Sequence, residues 1–162
     1  MGKFRWERRI NRKLRVVGVG ERDYNIADNK DNLLLDRNYN LIYSLGCKND
    51  FLVIRDYSCV TDITKETIFD IKNQKLLTDQ WFDDVNNYID FDSNQGFGEV
   101  SLNKKYNFID KQGKLISEEW FDKFNLFNSK GFCQVEINGR CYQLFTNGEK
   151  KEVMRHPSYF IF

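Results

Sequence analysis

The stretch YNFIDKQGKLISEEWFD occupies residues 106–122, and it closely repeats TIFDIKNQKLLTDQWFD at residues 67–83. The two lines align without gaps at an offset of 39 residues, and their aromatic and apolar positions coincide. The aligned pairs are Phe69 with Phe108, Leu76 with Leu115, Trp81 with Trp120, Phe82 with Phe121 and Asp83 with Asp122. A pattern that recurs at a fixed period of this length is typical of a repeat protein, in which each copy is one small structural unit.

The repeat extends beyond these two lines in both directions. QGFGEVSLNKK at 95–105 matches KGFCQVEINGR at 130–140. A more divergent copy, YNIADNKDNLLLD at 24–36, aligns with 106–118, and a truncated copy, CYQLFTNGEK, closes the series at 141–150. The predicted array therefore comprises units at about 22–62, 63–102 and 103–140, with a partial unit at 141–150.

Each unit alternates polar and apolar residues, as half-buried β-strands do. Asn138-Gly139 is a strong signal for a two-residue hairpin turn between two such strands. Gly113 marks a second predicted turn, with Gly148 opposite it in the truncated copy. The WFD segments are predicted to form one helical turn or a bulged strand that plugs the core. One unit is thus two or three short antiparallel strands, whose apolar face only neighbouring units can cover.

Composition favours an all-β fold. The chain has 14 Phe, 8 Tyr and 3 Trp but one Ala and one Pro, whereas helical bundles are rich in Ala, Leu and Glu. We therefore predict a degenerate array of short antiparallel β-hairpin units. An open twisted stack is preferred because the divergent end copies resemble caps, and a closed barrel is the second choice.

Other features of the sequence predict a cytoplasmic protein without a metal or cofactor. No apolar run is long enough to span a membrane, and the N-terminus lacks the apolar stretch of a secretory signal. The four cysteines show no CxxC spacing, so buried thiols are expected rather than a metal site. The single histidine, His156, has no nucleophile placed beside it by any motif, which disfavours histidine-based catalysis.

The N-terminal segment is strongly basic. Residues 1–15 carry a net charge of +6, on a chain whose total is +1. Apolar residues recur in it at helical spacing, so residues 1–21 are predicted to form a basic amphipathic helix and a lead-in strand. The apolar stripe comprises Trp6, Ile10, Leu14 and Val17, and the candidate binding residues of this arm are Arg5, Arg8, Arg9, Arg12, Lys13 and Arg15.

Several roles for the basic arm remain open at this point. It is either a cap on the first repeat with a solvated basic face, a clamp for nucleic-acid phosphates, or a docking surface for an acidic protein. An anionic membrane surface is a weaker alternative because the helix would be short.

The order strand, turn glycine, strand, WFD, Gly-Phe, strand and Asn-Gly resembles the WG repeat of bacterial and bacteriophage proteins. The resemblance covers about residues 22–150 and is clearest over 67–150. This chain has Tyr106-Asn107 and Tyr24-Asn25 where that family has Trp-Gly. The resemblance implies an all-β module that serves interaction rather than catalysis. Together with the Ala-poor, Asn-rich composition, it suggests a phage or bacterial origin and, for a phage protein, the host cytoplasm.

The leading hypothesis is a non-enzymatic protein–protein interaction module that binds a host or virion protein. Its repeat-face binding residues are Trp81, Phe82, Trp120 and Phe121, because Trp is favoured at interaction hot spots. In the simpler interpretation the same four side chains only fill the apolar core between units. The C-terminal aromatic tail, 151–162, is expected to add a strand, fill the core or bind the edge of a partner sheet.

Two alternative functions follow from other residues. The first is nucleic-acid binding through the basic arm. The second is a hydrolase that uses paired carboxylates such as Asp83-Asp84 or Glu118-Glu119. Recurrence of Asp83 at Asp122 favours a structural role for both, such as capping of the WFD turn.

Overall fold

The computed structural model describes residues 4–45, 50–86, 91–92 and 94–154. The chain divides into two compact units, Met1–Phe82 and Asp83–Phe162. Within the described residues all regular structure is β-strand, which confirms the predicted all-β class. Cys47, His156 and the part of the predicted aromatic tail beyond Met154 lie outside the described residues.

The first unit contains two antiparallel sheets. One has the order β1-β2-β3, and a single bridge from Ala27 to Leu33 extends it on the β3 side. The other has the order β4-β5-β6-β7. The strands of this unit are β1 (Trp6–Arg9), β2 (Leu14–Gly18), β3 (Tyr24–Asp28), β4 (Leu41–Ser44), β5 (Phe51–Ser58), β6 (Ile63–Asp70) and β7 (Lys75–Leu76).

The second unit repeats this plan. Its first sheet has the order β8-β9-β10 and is extended by a bridge from Ile109 to Leu115, and its second sheet has the order β11-β12-β13-β14. The strands are β8 (Asp84–Val85), β9 (Phe97–Leu102), β10 (Lys105–Asp110), β11 (Lys123–Phe124), β12 (Phe132–Ile137), β13 (Arg140–Phe145) and β14 (Lys150–Val153). The described residues thus form four separate meander sheets, so the second-choice closed barrel is wrong.

The predicted N-terminal helix is also wrong, because residues 6–9 and 14–18 form an antiparallel hairpin. Asn11 reverses the chain, since its side-chain oxygen accepts the backbone N–H groups of Lys13 and Leu14 at 2.7 and 2.9 Å. Ile10 and Leu14 therefore flank a tight turn, a geometry that gives the same four-residue spacing as a helical stripe. Leu14 and Val16, two residues apart, both lie in the core. The backbone groups of β2 form hydrogen bonds to β1 and to β3. In a helix the same groups would bond within the segment, and β3 would lose these partners.

Strand pairing shows which residues of the repeats are equivalent, and it changes the sequence alignment at one turn. The bridge partners of the third strands are Ala27 with Leu33, Phe69 with Leu76, and Ile109 with Leu115. Phe69 is therefore equivalent to Ile109 rather than to Phe108. The turn after Asp70 is one residue longer than the turn after Asp110, with Ile71 as the additional residue. The constant offset of 39 holds only after this turn.

Turn chemistry explains the recurrent polar residues and glycines. The Asp110 carboxylate accepts the backbone N–H groups of Gln112 and Lys114, both at 2.9 Å, and Asp28 and Asp70 cap their turns in the same way. The predicted Asn138-Gly139 hairpin turn is present, and both residues have positive φ. Gly113 and Gly148 occupy equivalent turns with φ of 84° and 85°.

Each unit has its own apolar core. In the first unit the core lies between the two sheets and includes Leu14, Ile26, Leu52 and Phe69. In the second it is dominated by aromatic rings, with the Phe108 centroid 5.0 Å from that of Phe127 and 5.4 Å from that of Phe124. Aromatic enrichment of the sequence therefore reflects packing between neighbouring sheets.

Candidate interaction surfaces

The basic arm is an edge strand and its turn. All four residues of β1 are exposed, as are Arg5, Arg12 and Lys13. Cross-strand register places Arg9 beside Arg15 and Arg8 beside Val16, so the bases are divided between the two sides of the sheet. The structure therefore brings together only part of the predicted set on one side, and Arg12 and Lys13 lie in the turn.

Arg15 differs from the other arm residues because its charge is already matched. Its guanidinium lies 3.3 Å from the Glu7 carboxylate, pairs with Asp31, and donates to the Asp28 carbonyl at 2.7 Å. It is half-buried beneath these partners. By contrast, Trp6 is 49% exposed, and its ring is nearly perpendicular to that of Tyr24 at a centroid distance of 6.0 Å. The arm thus presents Trp6 on the same strand as the exposed Arg8 and Arg9, and on the same side of the sheet as Arg8.

The four predicted repeat-face aromatics do not share one environment. Phe82 and Phe121 have no exposed surface, and each forms a backbone bridge, to Glu66 and Tyr106 respectively. Trp81 is half-buried and stacks on Tyr39 at a centroid distance of 5.5 Å. Trp120 is likewise half-buried. The two phenylalanines are core plugs in this structure, and only the two tryptophans retain accessible edges.

A feature that sequence reasoning missed is the length of the β5–β6 hairpin. Eighteen residues separate Phe51 from its partner Asp70, whereas twelve separate Phe97 from the equivalent Asp110. The β12–β13 hairpin also has twelve residues in this interval, between Phe132 and Phe145. The β5–β6 hairpin is therefore six residues longer than these two counterparts. Counting residues between equivalent positions in the aligned copies reveals this excess.

The additional residues form an exposed apolar tip. Tyr57, Val60 and Ile63 are 43%, 90% and 48% exposed, and the free thiol of Cys59 is exposed among them. The tip has a defined conformation, since the Tyr57 hydroxyl donates to the Asp62 carboxylate at 2.9 Å. We refer to residues 57–63 as the hairpin tip. Apolar side chains exposed together on a projecting loop are typical of a contact surface.

Three buried glutamates have structural partners. Glu66 accepts hydrogen bonds from the Tyr43 hydroxyl at 2.8 Å and from Arg55 Nε at 2.5 Å. Burial and the adjacent Glu66 charge raise the pKa of Tyr43. Glu136 lies 3.5 Å from the Lys123 ammonium group. The third carboxylate, Glu99, accepts a hydrogen bond from Asn86 at 2.9 Å.

The recurrent carboxylates of the WFD segments cap hairpin turns. Asp83 and Asp122 each accept a backbone N–H at 2.6 Å, from Asn103 and Asn138 respectively. Lys105 lies 3.0 Å from Asp122, and these bonds lower the pKa of Asp122. Neither carboxylate is oriented toward a second acid by these contacts. Their recurrence is explained by turn geometry.

Within the described residues, no group of three or more His, Cys, Asp or Glu side chains has the geometry of a metal site. The described part of the chain also contains no helix that would be long and apolar enough to cross a membrane. Cys133 and Cys141 are free and buried. The sequence matches no protein-family model and no curated protein.

Proposed function

We propose that this protein is a non-enzymatic interaction module that binds another protein through the hairpin tip. The observation that carries the proposal is the exposure of Tyr57, Val60 and Ile63 on a hairpin six residues longer than the β9–β10 and β12–β13 hairpins. Insertions in repeat arrays commonly form the binding surface, because a loop can lengthen without disturbing the core.

The chemistry of the tip favours a protein partner with an apolar pocket. Val60 is almost fully exposed at a convex end, and two half-exposed apolar side chains flank it. Burying such side chains stabilises a complex by about 25 cal/mol for each Å² removed from water. The charge of Asp56, next to the tip, is matched by Arg37 at 2.5 Å. Apolar burial, rather than charge, is therefore the expected source of affinity.

Site-specific photo-cross-linking tests this proposal. A photoreactive residue replaces Cys59 in the full chain, and cross-linked proteins are identified in a lysate of cells that express it. We expect one predominant partner that is lost in the V60D variant and retained in K104D, which places the same charge at the tip of the shorter β9–β10 hairpin. Cross-links that are unchanged by V60D would contradict the proposal. So would a yield of cross-links from position 59 that is no higher than the yield from a photoreactive residue in place of Lys104.

A second candidate function is nucleic-acid binding by the arm, favoured by the exposure of Trp6 on the same strand as Arg8 and Arg9. Proteins that bind single-stranded nucleic acid combine basic residues with aromatic rings on which bases stack. Binding of mixed DNA and RNA across a salt series tests it with the intact chain and with R8A/R9A/R12A. Steeply salt-dependent binding that is lost in the triple variant supports it. The absence of binding, or binding that is unaffected by the three substitutions, removes this candidate.

A further inference from the structure

A groove of about 280 Å³ lies in the second unit, where residues 125–128 fold beside β12 and β13. It is lined by Asn125, Leu126, Asn128, Phe132, Gln134 and Gln143, and Cys133 completes the lining. None of these side chains is ionisable except the thiol of Cys133, whose pKa burial raises to about 12. The groove is therefore uncharged at neutral pH and rich in primary amides.

Two of the amides form a matched pair across the sheet. Gln134 and Gln143 are directly opposed in the β12–β13 register, so their side chains lie on the same side of the sheet. Both are half-buried, and within the described residues neither side-chain amide forms a hydrogen bond to another protein group. A primary amide offers two N–H donors and one carbonyl acceptor. The pair therefore presents donors and acceptors together at one point of the groove.

The other side of the groove is fixed by the fold. The Asn125 side-chain oxygen accepts the Gln134 backbone N–H at 2.7 Å, and the Asn128 side-chain oxygen accepts that of Lys130 at 2.9 Å. The Asn125 bond holds the segment against β12, and the Asn128 bond closes the turn that leads into β12. Phe132 adds an aromatic surface, and its ring lies 6.0 Å from that of Phe145. The groove thus combines fixed walls, one apolar patch and two unused amides.

This lining selects the chemical class of the ligand. An ionised ligand would lose hydration without gaining an opposite charge, and a wholly apolar ligand would cover the two amides and leave them unpaired. Sugar hydroxyls both donate and accept hydrogen bonds, as the amides do, and the C–H face of a sugar ring can pack on Phe132 and Leu126. The volume lies just below the range of about 300–1,000 Å³ for sites of drug-sized ligands, which suits one ring.

We propose that this groove binds a neutral sugar ring, free or at the end of a glycan, through the paired amides of Gln134 and Gln143. The site shares no residue with the hairpin tip, and the proposal is argued from the geometry of the second unit alone. A protein with both sites would have one surface for a protein and another for a carbohydrate.

Nuclear magnetic resonance titration of the ¹⁵N-labelled full chain tests the proposal. The probes are glucose, galactose, mannose and N-acetylglucosamine, each raised to tens of millimolar. We expect at least one sugar to shift the side-chain amide signals of Gln134 and Gln143 in a saturable way. We expect Q143L to weaken this binding at least tenfold, and Q143E to weaken it similarly by introducing a charge, while Q112L in an exposed turn leaves it unchanged.

Three results would overturn the inference. One is the absence of a saturable shift with all four sugars in the wild-type protein, which does not depend on the folding of any variant. Another is binding that survives Q134L, Q143L and Q143E together with unaltered spectra elsewhere. The third is tighter binding of an N-acetyl amino-acid amide than of any sugar, which would identify the groove as a peptide site.

Discussion

Asn25 and Asn107, 82 residues apart in the chain, form the same hydrogen bonds in two different sheets. Asn107 donates its amide to the carbonyls of Ser117 and Glu119 at 2.9 and 3.2 Å. Asn25 donates to two carbonyls at 3.4 and 3.0 Å, and both side-chain oxygens accept the next backbone N–H at 2.8 Å. In the intervening repeat the Thr67 hydroxyl contacts the corresponding carbonyls at 3.3 and 3.1 Å. One buried polar residue thus fixes the segment that follows in three of the four sheets, and this segment is WFD after Thr67 and after Asn107.

The first prediction concerns this buried amide. N107A should lower the free energy of unfolding by about 2–4 kcal/mol, because it leaves buried carbonyls without donors. N107T should lower the free energy of unfolding by less than N107A does. Its hydroxyl can still donate one hydrogen bond, as that of Thr67 does at the equivalent position. N107D should cost at least as much as N107A, because a carboxylate would face two carbonyl oxygens. Denaturant unfolding measures the series.

N29A is the matched control for the asparagine series, since Asn29 is exposed in a turn. It should change the unfolding free energy by less than about 0.5 kcal/mol. If N107A and N29A were equally stable, the amide would not hold the WFD segment. If N107T were less stable than N107A, the equivalence with Thr67 would be wrong.

The second prediction concerns the cap formed by Asp122. D122A should cost about 1–2 kcal/mol, because the Asn138 N–H loses its acceptor. D122N should cost under about 1 kcal/mol, since it loses only the exposed pair with Lys105. Asn40 shows that an amide oxygen can cap this position, because it accepts the Tyr57 N–H at 2.5 Å. Thermal or denaturant unfolding at neutral pH measures both variants.

The same cap predicts a dependence on pH. Because its folded-state pKa is lowered below the usual 3.8, the Asp122 carboxylate stabilises the fold above that value and loses this effect as the pH falls through the lowered pKa. The advantage of wild type over D122N should therefore vanish in acid. D79A, at an exposed carboxylate, is the control and should show no such trend. If the difference in unfolding free energy between wild type and D122N did not change with pH, Asp122 would not stabilise the fold through its ionised carboxylate.

The repeats in the sequence predicted much of the fold, but they did not predict where the first sheet begins. The aligned copies correctly indicated short antiparallel strands, the turn at Asn138-Gly139 and the equivalence of Gly113 with Gly148. It did not reveal that residues 6–18 supply the first two strands of a sheet. The basic residues of this segment mask the alternation of polar and apolar residues that is typical of a strand, because both sides of an exposed edge strand can be polar.

The candidate surfaces were less accessible to sequence reasoning. Trp81 and Phe82 are adjacent and equally apolar, yet one keeps an exposed edge and the other has none. Only tertiary packing distinguishes them. The pairing of Gln134 with Gln143 follows from the two-residue turn at Asn138-Gly139, but the groove that residues 125–128 form beside this pair does not follow from the sequence.

The third prediction concerns the two shortest hairpins. Asn103-Lys104 and Asn138-Gly139 are two-residue turns in which all four residues have positive φ, as type I′ turns require. Lys104, at φ of 62°, is strained because its Cβ crowds the backbone. K104G should therefore stabilise the protein by about 0.5–1 kcal/mol, and G139K should destabilise it by a similar amount.

K104A separates backbone strain from the loss of the lysine side chain. It keeps a Cβ and should bring little of the gain that K104G brings. Melting temperatures of the three variants, measured side by side, give the comparison. Equal stabilisation by K104A and K104G would show that the lysine side chain, rather than its φ, determines the effect.

The fourth prediction concerns Glu99, whose carboxylate is buried on β9 and accepts a hydrogen bond from Asn86. Burial raises the pKa of Glu99 above 4.5, the Asn86 hydrogen bond opposes this rise, and the nearby Asp84 charge adds to it. The folded protein therefore binds this proton more tightly than the unfolded chain does. Ionisation of Glu99 disfavours the fold, so its contribution to stability is greatest below pH 4.5 and is lost as the pH rises through the folded-state pKa.

E99Q keeps an oxygen that can accept from Asn86 but removes the buried charge. At pH 7 the variant should be more stable than wild type, and the difference should shrink as the pH falls toward 4.5. Denaturant unfolding at a series of pH values measures this convergence. E118Q, at an exposed carboxylate, should show no comparable trend. If E99Q were less stable than wild type at pH 7, ionised Glu99 would have to be stabilised by its surroundings, and desolvation would not be the dominant effect on its pKa.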